Sequence, residues 1–188
     1  MSATQYVALL RGINVGGDNV IKMADLRACL ARCDGLSDVA TYIQSGNVLF
    51  SADEADSAAL AARLEAAVSA GFPPYQARIL VLGHDAVQRI VRCAPPGFGA
   101  DPTVRRSDVL YLFGALDASE ALADVPIRPD VDEAHAGPGV LYFSRLAARA
   151  SQSHLSRVVG MPIYQSMTIR NWNTTTRLLA LMDARKAG

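Results

Sequence analysis

Apolar positions along this chain alternate between two rhythms, short unbroken runs and stripes spaced three or four residues apart. Tyr6 to Leu10 is a run that ends at Arg11 and a glycine-bearing loop, Gly12-Ile13-Asn14-Val15-Gly16-Gly17. Met23, Leu26, Leu30 and Cys33 then recur with helical spacing, and Gly35 is placed to stop that helix. Val39 to Ile43 reads as a strand, Ser45-Gly46-Asn47 supplies turn chemistry, and Val48 to Phe50 continues as the second arm of a hairpin. Asp56 is a candidate cap for a helix whose inward side is Leu60, Leu64 and Val68. Pro73-Pro74 precedes a strand near Ala77 to Leu82, and Val87, Ile90 and Val91 mark one more helix. The order is β-α-β-β-α-β-α, a ferredoxin-like unit plus a helix.

The order then repeats. Val109 to Phe113 reads as a strand, with Asp117 and Glu120 as a capping box after it. Ile127 to Val131 and Val140 to Phe143 are expected to pair across Gly137-Pro138-Gly139. Leu155, Val158 and Val159 mark a helix closing at Gly160, and Ile163 to Ile169 a strand. Asn171 is placed to cap a last helix through Trp172, Leu179 and Met182. The prediction is therefore an α+β fold of duplicated ferredoxin-like (βαββαβ plus helix) subdomains, residues 1–94 and 100–188, with a linker near 95–99. The repeat is one of element order rather than of residue identity.

Charge modifies this picture only locally. Eighteen basic residues balance eighteen acidic ones, which argues against a dedicated nucleic-acid coat or an electrostatic membrane binder. From Asp101 to Glu133 eight acids face three arginines, whereas from Arg145 onward seven basic residues accompany one acid, Asp183. Pairing between these two stretches is the expectation, with a basic end facing an anion as the alternative. Arginine outnumbers lysine sixteen to two, a bias that fits a GC-rich coding sequence. No basic segment followed by an apolar run opens the chain, and no apolar run approaches the roughly 18 residues of a membrane span, so a cytoplasmic location is expected. Three cysteines do not form a disulfide framework; Cys29 and Cys33 lie one helical turn apart without a second pair, so no metal is assigned. His84, His135 and His154 have no neighbours that suggest a triad, and no chemistry is assigned to them.

Three motifs remain. The glycine loop Arg11 to Gly17 can turn several N–H groups to one side, a setting for phosphate or carboxylate, although it matches neither established nucleotide-loop pattern. Tyr42-Ile43-Gln44-Ser45-Gly46-Asn47 fits a hairpin turn or the polar rim of a site; its serine is in no nucleophile elbow. Thr168-Ile169-Arg170-Asn171-Trp172-Asn173-Thr174 holds an arginine whose planar fork suits an anion, with a structural salt bridge as the alternative.

These stretches, together with Tyr6-Val7-Ala8-Leu9-Leu10 and Ile21-Lys22-Met23, resemble the bacterial domain-of-unknown-function 1697 family from near the first residue to the last helix. The resemblance implies two ferredoxin-like subdomains and brings no established activity with it. The family often has a basic residue where this chain has Asp18, and a threonine where it has Ile169.

The functional expectation is a small-molecule site at the junction of the halves. Arg11, Asn14, Gly16, Gly17 and Lys22 would line one wall, with Gln44, Ser45 and Asn47 nearby, and Arg170, Asn171 and Asn173 would form the other. The ligand would be anionic or phosphorylated; whether a reaction follows, and with which cofactor, is left open. One alternative is a structural or partner-binding protein whose polar motifs hold the halves together. Another is a nucleic-acid-binding module stacking bases on Tyr6, Tyr42, Tyr111 and Tyr142.

Overall fold

A computed structural model describes residues 4–15, 17 and 19–186. By contacts the chain divides into two compact units, Met1–Val87 with Leu178–Gly188, and Gln88–Arg177. Each unit holds one four-stranded antiparallel sheet packed with helices, the α+β duplication expected from the element order.

In the first unit, β1 (Thr4–Leu10), α1 (Met23–Leu30), β2 (Leu36–Tyr42), β3 (Asn47–Ala52), α2 (Ser57–Gly71) and β4 (Ile79–Gly83) form a sheet of order β2-β3-β1-β4. This is the split βαβ arrangement, with the hairpin strand β3 inserted between β1 and β2. Alternation along β1 sends Tyr6, Ala8 and Leu10 to one face, where they meet Leu26 and Leu30 of α1 and Leu60, Leu64 and Val68 of α2. Asp56 caps α2 by accepting the Ala58 N–H at 2.8 Å, as its position before the apolar stripe predicts. Each leucine fully buried there contributes roughly 2 kcal/mol of apolar transfer. The other face carries Gln5, Val7, Leu9, Leu49 and Ser51, all buried. Helix α3 (His84–Arg92) begins where β4 ends.

In the second unit, β5 (Arg105–Leu112), α4 (Ala118–Asp124), β6 (Asp132–Gly137), β7 (Val140–Leu146), α5 (Leu155–Val158) and β8 (Met167–Asn171) give the order β6-β7-β5-β8. Helix α6 (Trp172–Lys186) follows β8. Asp117 caps α4 through the N–H groups of Ser119 and Glu120, at 2.8 and 3.1 Å. Leu110, Leu112, Leu141 and Phe143 pack with Ala121 and Val158 in the core. Two segments differ from the sequence pattern. The stretch 127–131 is not the first hairpin arm, because Pro129 has no N–H and the chain turns there, Asp132 N–H bonding Arg128 O at 2.7 Å. The arm is Asp132–Gly137, an edge strand whose exposed side tolerates the polar residues that hid it. Likewise residues 162–166 form a 3₁₀ turn opened by Pro162, so β8 starts only at Met167.

Among the described residues no helix is long and apolar enough to cross a membrane. Two ion pairs join the acidic middle to the basic end, Arg145–Asp108 and Arg149–Asp130, each at 2.7 Å.

Candidate functional site

The glycine loop and the hairpin turn are drawn into one hydrogen-bonded knot in the first unit. Asn14, in the left-handed region at φ 54°, donates from Nδ2 to Ile21 O and Gln44 O at 3.0 and 2.8 Å and accepts the Ile21 N–H at 2.8 Å. Asn47 is fully buried and donates to Tyr42 O and Ser45 Oγ, at 3.1 and 3.0 Å. Gly46 must be glycine: at φ 73° an added Cβ would sit 2.8 Å from Ile13 Cδ1 and 2.9 Å from Leu10 Cβ. The Arg11 carbonyl accepts from Tyr75 Oη at 2.5 Å, and Lys22 and Gly17 are exposed. Gly16 and Asp18 lie outside the described residues. The polar atoms of Asn14 and Asn47 thus hold the turn together.

The third motif opens a cavity in the second unit. Asn171 ends β8 and caps α6, its Oδ1 accepting the Thr174 N–H at 2.7 Å. Asn171, Trp172 and Asn173 line a cavity of about 290 Å³ together with Arg105, Arg106 and Arg145. Three arginines there face one carboxylate, Asp108, so the lining is net positive. Burial pushes the Asp108 carboxyl above its ordinary range, although Arg145 at 2.7 Å and Arg106 oppose that rise. Arg105 is fixed by Ser144 Oγ at 3.0 Å and Glu133 at 3.3 Å, whereas Arg106 is exposed. Ser107 also lines the cavity; it is 9 % exposed and its hydroxyl has no hydrogen-bond partner among the described residues. An adjoining cavity of about 270 Å³ shares Gly99, Arg105 and Ser107 and is walled by Pro95, Pro96 and Phe98. Trp172 stacks edge-on against Phe98 at 5.1 Å between centroids and leaves no space for a Cβ at Gly99, which would fall 1.9 Å from the indole ring.

Arg170 points elsewhere. Its Nη1 donates to Thr168 Oγ1 and Ile169 O, at 2.9 and 2.8 Å, and the residue is buried. Of the three residues expected from this motif, Asn171 and Asn173 line the cavity.

With this geometry in place, the comparisons with known proteins fall into line. The model of a protein family of unknown function, DUF1697, matches residues 3–142. The chain belongs to the DUF1697 family. The conserved bacterial protein SP0830 from Streptococcus pneumoniae is 27 % identical, with a TM-score of 0.81 over 96 % of this chain and 99 % of that one. Among curated proteins, none matches. The family match ends before the Arg170 motif, while the structural likeness to SP0830 extends over nearly the whole DUF1697 chain.

His84, to which the sequence assigns no chemistry, sits among charged groups that the fold brings to it. Its Nε2 lies 2.6 Å from Asp183 Oδ1, a partner 99 residues away, and its Nδ1 lies 3.1 Å from Lys186 Nζ and 3.2 Å from Asp85 Oδ1. The hydrogen bond from His84, then Lys186, holds the Asp85 carboxyl below its usual value. Gln5 precedes the apolar run of β1 on the face that Val7 and Leu9 occupy, and it is buried there. Cys29 is buried and Cys33 half-buried, where burial raises the Cys33 thiol. Among the described residues no group of three or more His, Cys, Asp or Glu is arranged to hold a metal ion.

Proposed function

We propose that this protein binds a small anionic molecule, a phosphorylated metabolite or a carboxylate, in the cavity at the start of α6. The observation that carries the reading is that Arg105, Arg106 and Arg145 line one cavity with Asn171 and Asn173, against Asp108 in the lining and Glu133 beside Arg105. Guanidinium forks match phosphate and carboxylate oxygens, and the first turn of a helix adds a favourable partial charge of about 0.3–1 kcal/mol. Ser107 adds an uncommitted hydroxyl beside them. The base-stacking alternative loses support, since Tyr6, Tyr111 and Tyr142 are all buried.

The test is a thermal-shift and calorimetric titration with inorganic phosphate, a hexose phosphate, a nucleoside monophosphate and citrate. Binding at 100 times the dissociation constant stabilises by about 2.7 kcal/mol, readily seen as a shift in Tm. Arg106→Gln, an exposed change, should leave the unliganded Tm unchanged and weaken the bound anion at least tenfold, the loss of roughly 1.4 kcal/mol from one charge-assisted contact. Equal affinity in the variant and the parent would overturn the assignment.

A further inference from the structure

The strand registers make the two units superimposable position by position. In the first, Gln5 pairs with Ser51, and Tyr6 pairs with Phe50 and Gly83. In the second, Ser107 pairs with Ser144, and Asp108 pairs with Phe143 and Asn171. Gln5 therefore corresponds to Ser107, Gly83 to Asn171, and by continuation His84 to Trp172 and Asp85 to Asn173. Thr4, Gln5, Tyr6, Gly83, His84 and Asp85, the counterparts of Arg106, Ser107, Asp108, Asn171, Trp172 and Asn173, line a cavity of about 680 Å³ in the first unit, with Asp38, Arg185 and Lys186 added. The duplication has kept a pocket at one register position and changed its chemistry.

We infer that this cavity is a second ligand site, for a small zwitterion of the amino-acid class. Gln5 is 9 % exposed, lines the cavity and holds a buried Oε1 without a hydrogen-bond partner, as Ser107 does in the other unit. The orientation of its amide follows from proton counting. Asp38 Oδ2 accepts only, so the single Ser51 proton, 3.2 Å away, points to it. Ser51 Oγ must then accept from Gln5 Nε2 at 2.6 Å, which leaves Oε1 as the open group. An open acceptor beside the Asp38 and Asp85 carboxylates calls for a donor, an ammonium group. Lys186 and Arg185 answer it with two cations; Arg185 is tied to Asp38 O at 2.9 Å, and Lys186 stands 3.8 Å from Asp85. Two acids and two bases in one lining favour a ligand carrying both charges over a simple anion, in contrast to three arginines and one acid at the equivalent place.

The experiment is ligand-observed NMR of the full chain with pools of free L-amino acids, followed by calorimetry on each hit, its deaminated acid and its decarboxylated amine. Binding of an amino acid is expected, with at least a tenfold loss for either half-molecule. Lys186→Met, at an exposed position, and Gln5→Met should each weaken the hit at least tenfold, while Arg106→Gln leaves it unchanged. Binding by no amino acid, a deaminated acid as tight as its parent, or full affinity in Lys186→Met would each overturn the assignment. Loss of anion binding in Arg106→Gln with amino-acid binding intact separates this site from the anion cavity, so either can fail alone.

Discussion

In the first unit, Val7, Leu9, Leu80 and Leu82 meet on one sheet face; in the second, the same register positions hold Val109, Tyr111, Thr168 and Arg170. At these four positions the first face is wholly apolar, whereas the second carries a buried polar network. Tyr111 Oη and Thr175 Oγ1 lie 2.9 Å apart, and Arg170 donates to Thr168 Oγ1 at 2.9 Å. Identical topology thus tolerates two chemistries, the polar one held together by its internal hydrogen bonds. A leucine face loses stability in proportion to the area removed, whereas a network fails when one member is cut. The two units should therefore respond unequally to equivalent substitutions.

The largest difference is expected between Arg170→Ala and Leu82→Ala, at equivalent positions. Removing the guanidinium strands Thr168 Oγ1 and the Ile169 carbonyl in a buried setting, for a loss of about 3 kcal/mol. Truncating half-buried Leu82 should cost about 1–2 kcal/mol. Urea titrations followed by circular dichroism measure both. Equal losses would mean that the network adds nothing beyond its apolar area.

Alkaline titration probes the same network from another side. Burial pushes the Tyr111 hydroxyl up to about 12, against smaller opposing contributions from Thr175 and Arg170, and burial also raises Tyr142. The native state therefore holds the Tyr111 proton more tightly than the unfolded chain, whose tyrosine titrates near 10. Stability from this residue is fully present below pH ~10 and falls as pH rises from there to about 12, by on the order of 2 kcal/mol. Tyrosinate absorbance near 295 nm should rise in two stages, with Tyr111 and Tyr142 ionising late. A single wave centred near pH ~10 with the protein still folded would contradict the buried network.

What the sequence disclosed follows from the range of the interactions involved. Asp56 before Leu60, Leu64 and Val68 announces a capped helix because cap and stripe lie within a few residues of each other. Asn171 was legible as a cap for the same reason. Strand β6 was not, because an edge strand needs one buried side only, and Glu133 and His135 fill its exposed side. The cavity at the start of α6 was half legible: Asn171 and Asn173 stood out, but Arg105, Arg106 and Arg145 come from two strands joined by the β5–β7 register. His84 and Asp183 are further apart still, and no local spacing connects them. The polar residues of the glycine loop and hairpin turn have a structural use of their own. Residues chosen for their ability to contact a ligand are also those that satisfy a tight turn, and the Asn14 and Asn47 side chains serve that purpose.

The finest comparison lies between two of the orphaned polar atoms among the described residues, Ser107 Oγ and Gln5 Oε1. A buried polar group without a partner costs about 1–3 kcal/mol, so removing it should stabilise the unliganded protein. The two sites differ in what else is lost. Ser144, opposite Ser107, already receives Arg105 Nε at 3.0 Å, so Ser107→Ala gives up no bond and should gain about 1 kcal/mol. Gln5→Met gives up the 2.6 Å bond to Ser51 along with the orphaned oxygen, and the two changes should cancel to within about 0.5 kcal/mol. Denaturant midpoints of the unliganded variants measure both. A gain at Ser107 with neutrality at Gln5 is the signature of a pocket group kept for its ligand at some cost to the free fold. A loss at Ser107 would instead place an ordered water on its hydroxyl and remove it from the set of groups waiting for an anion.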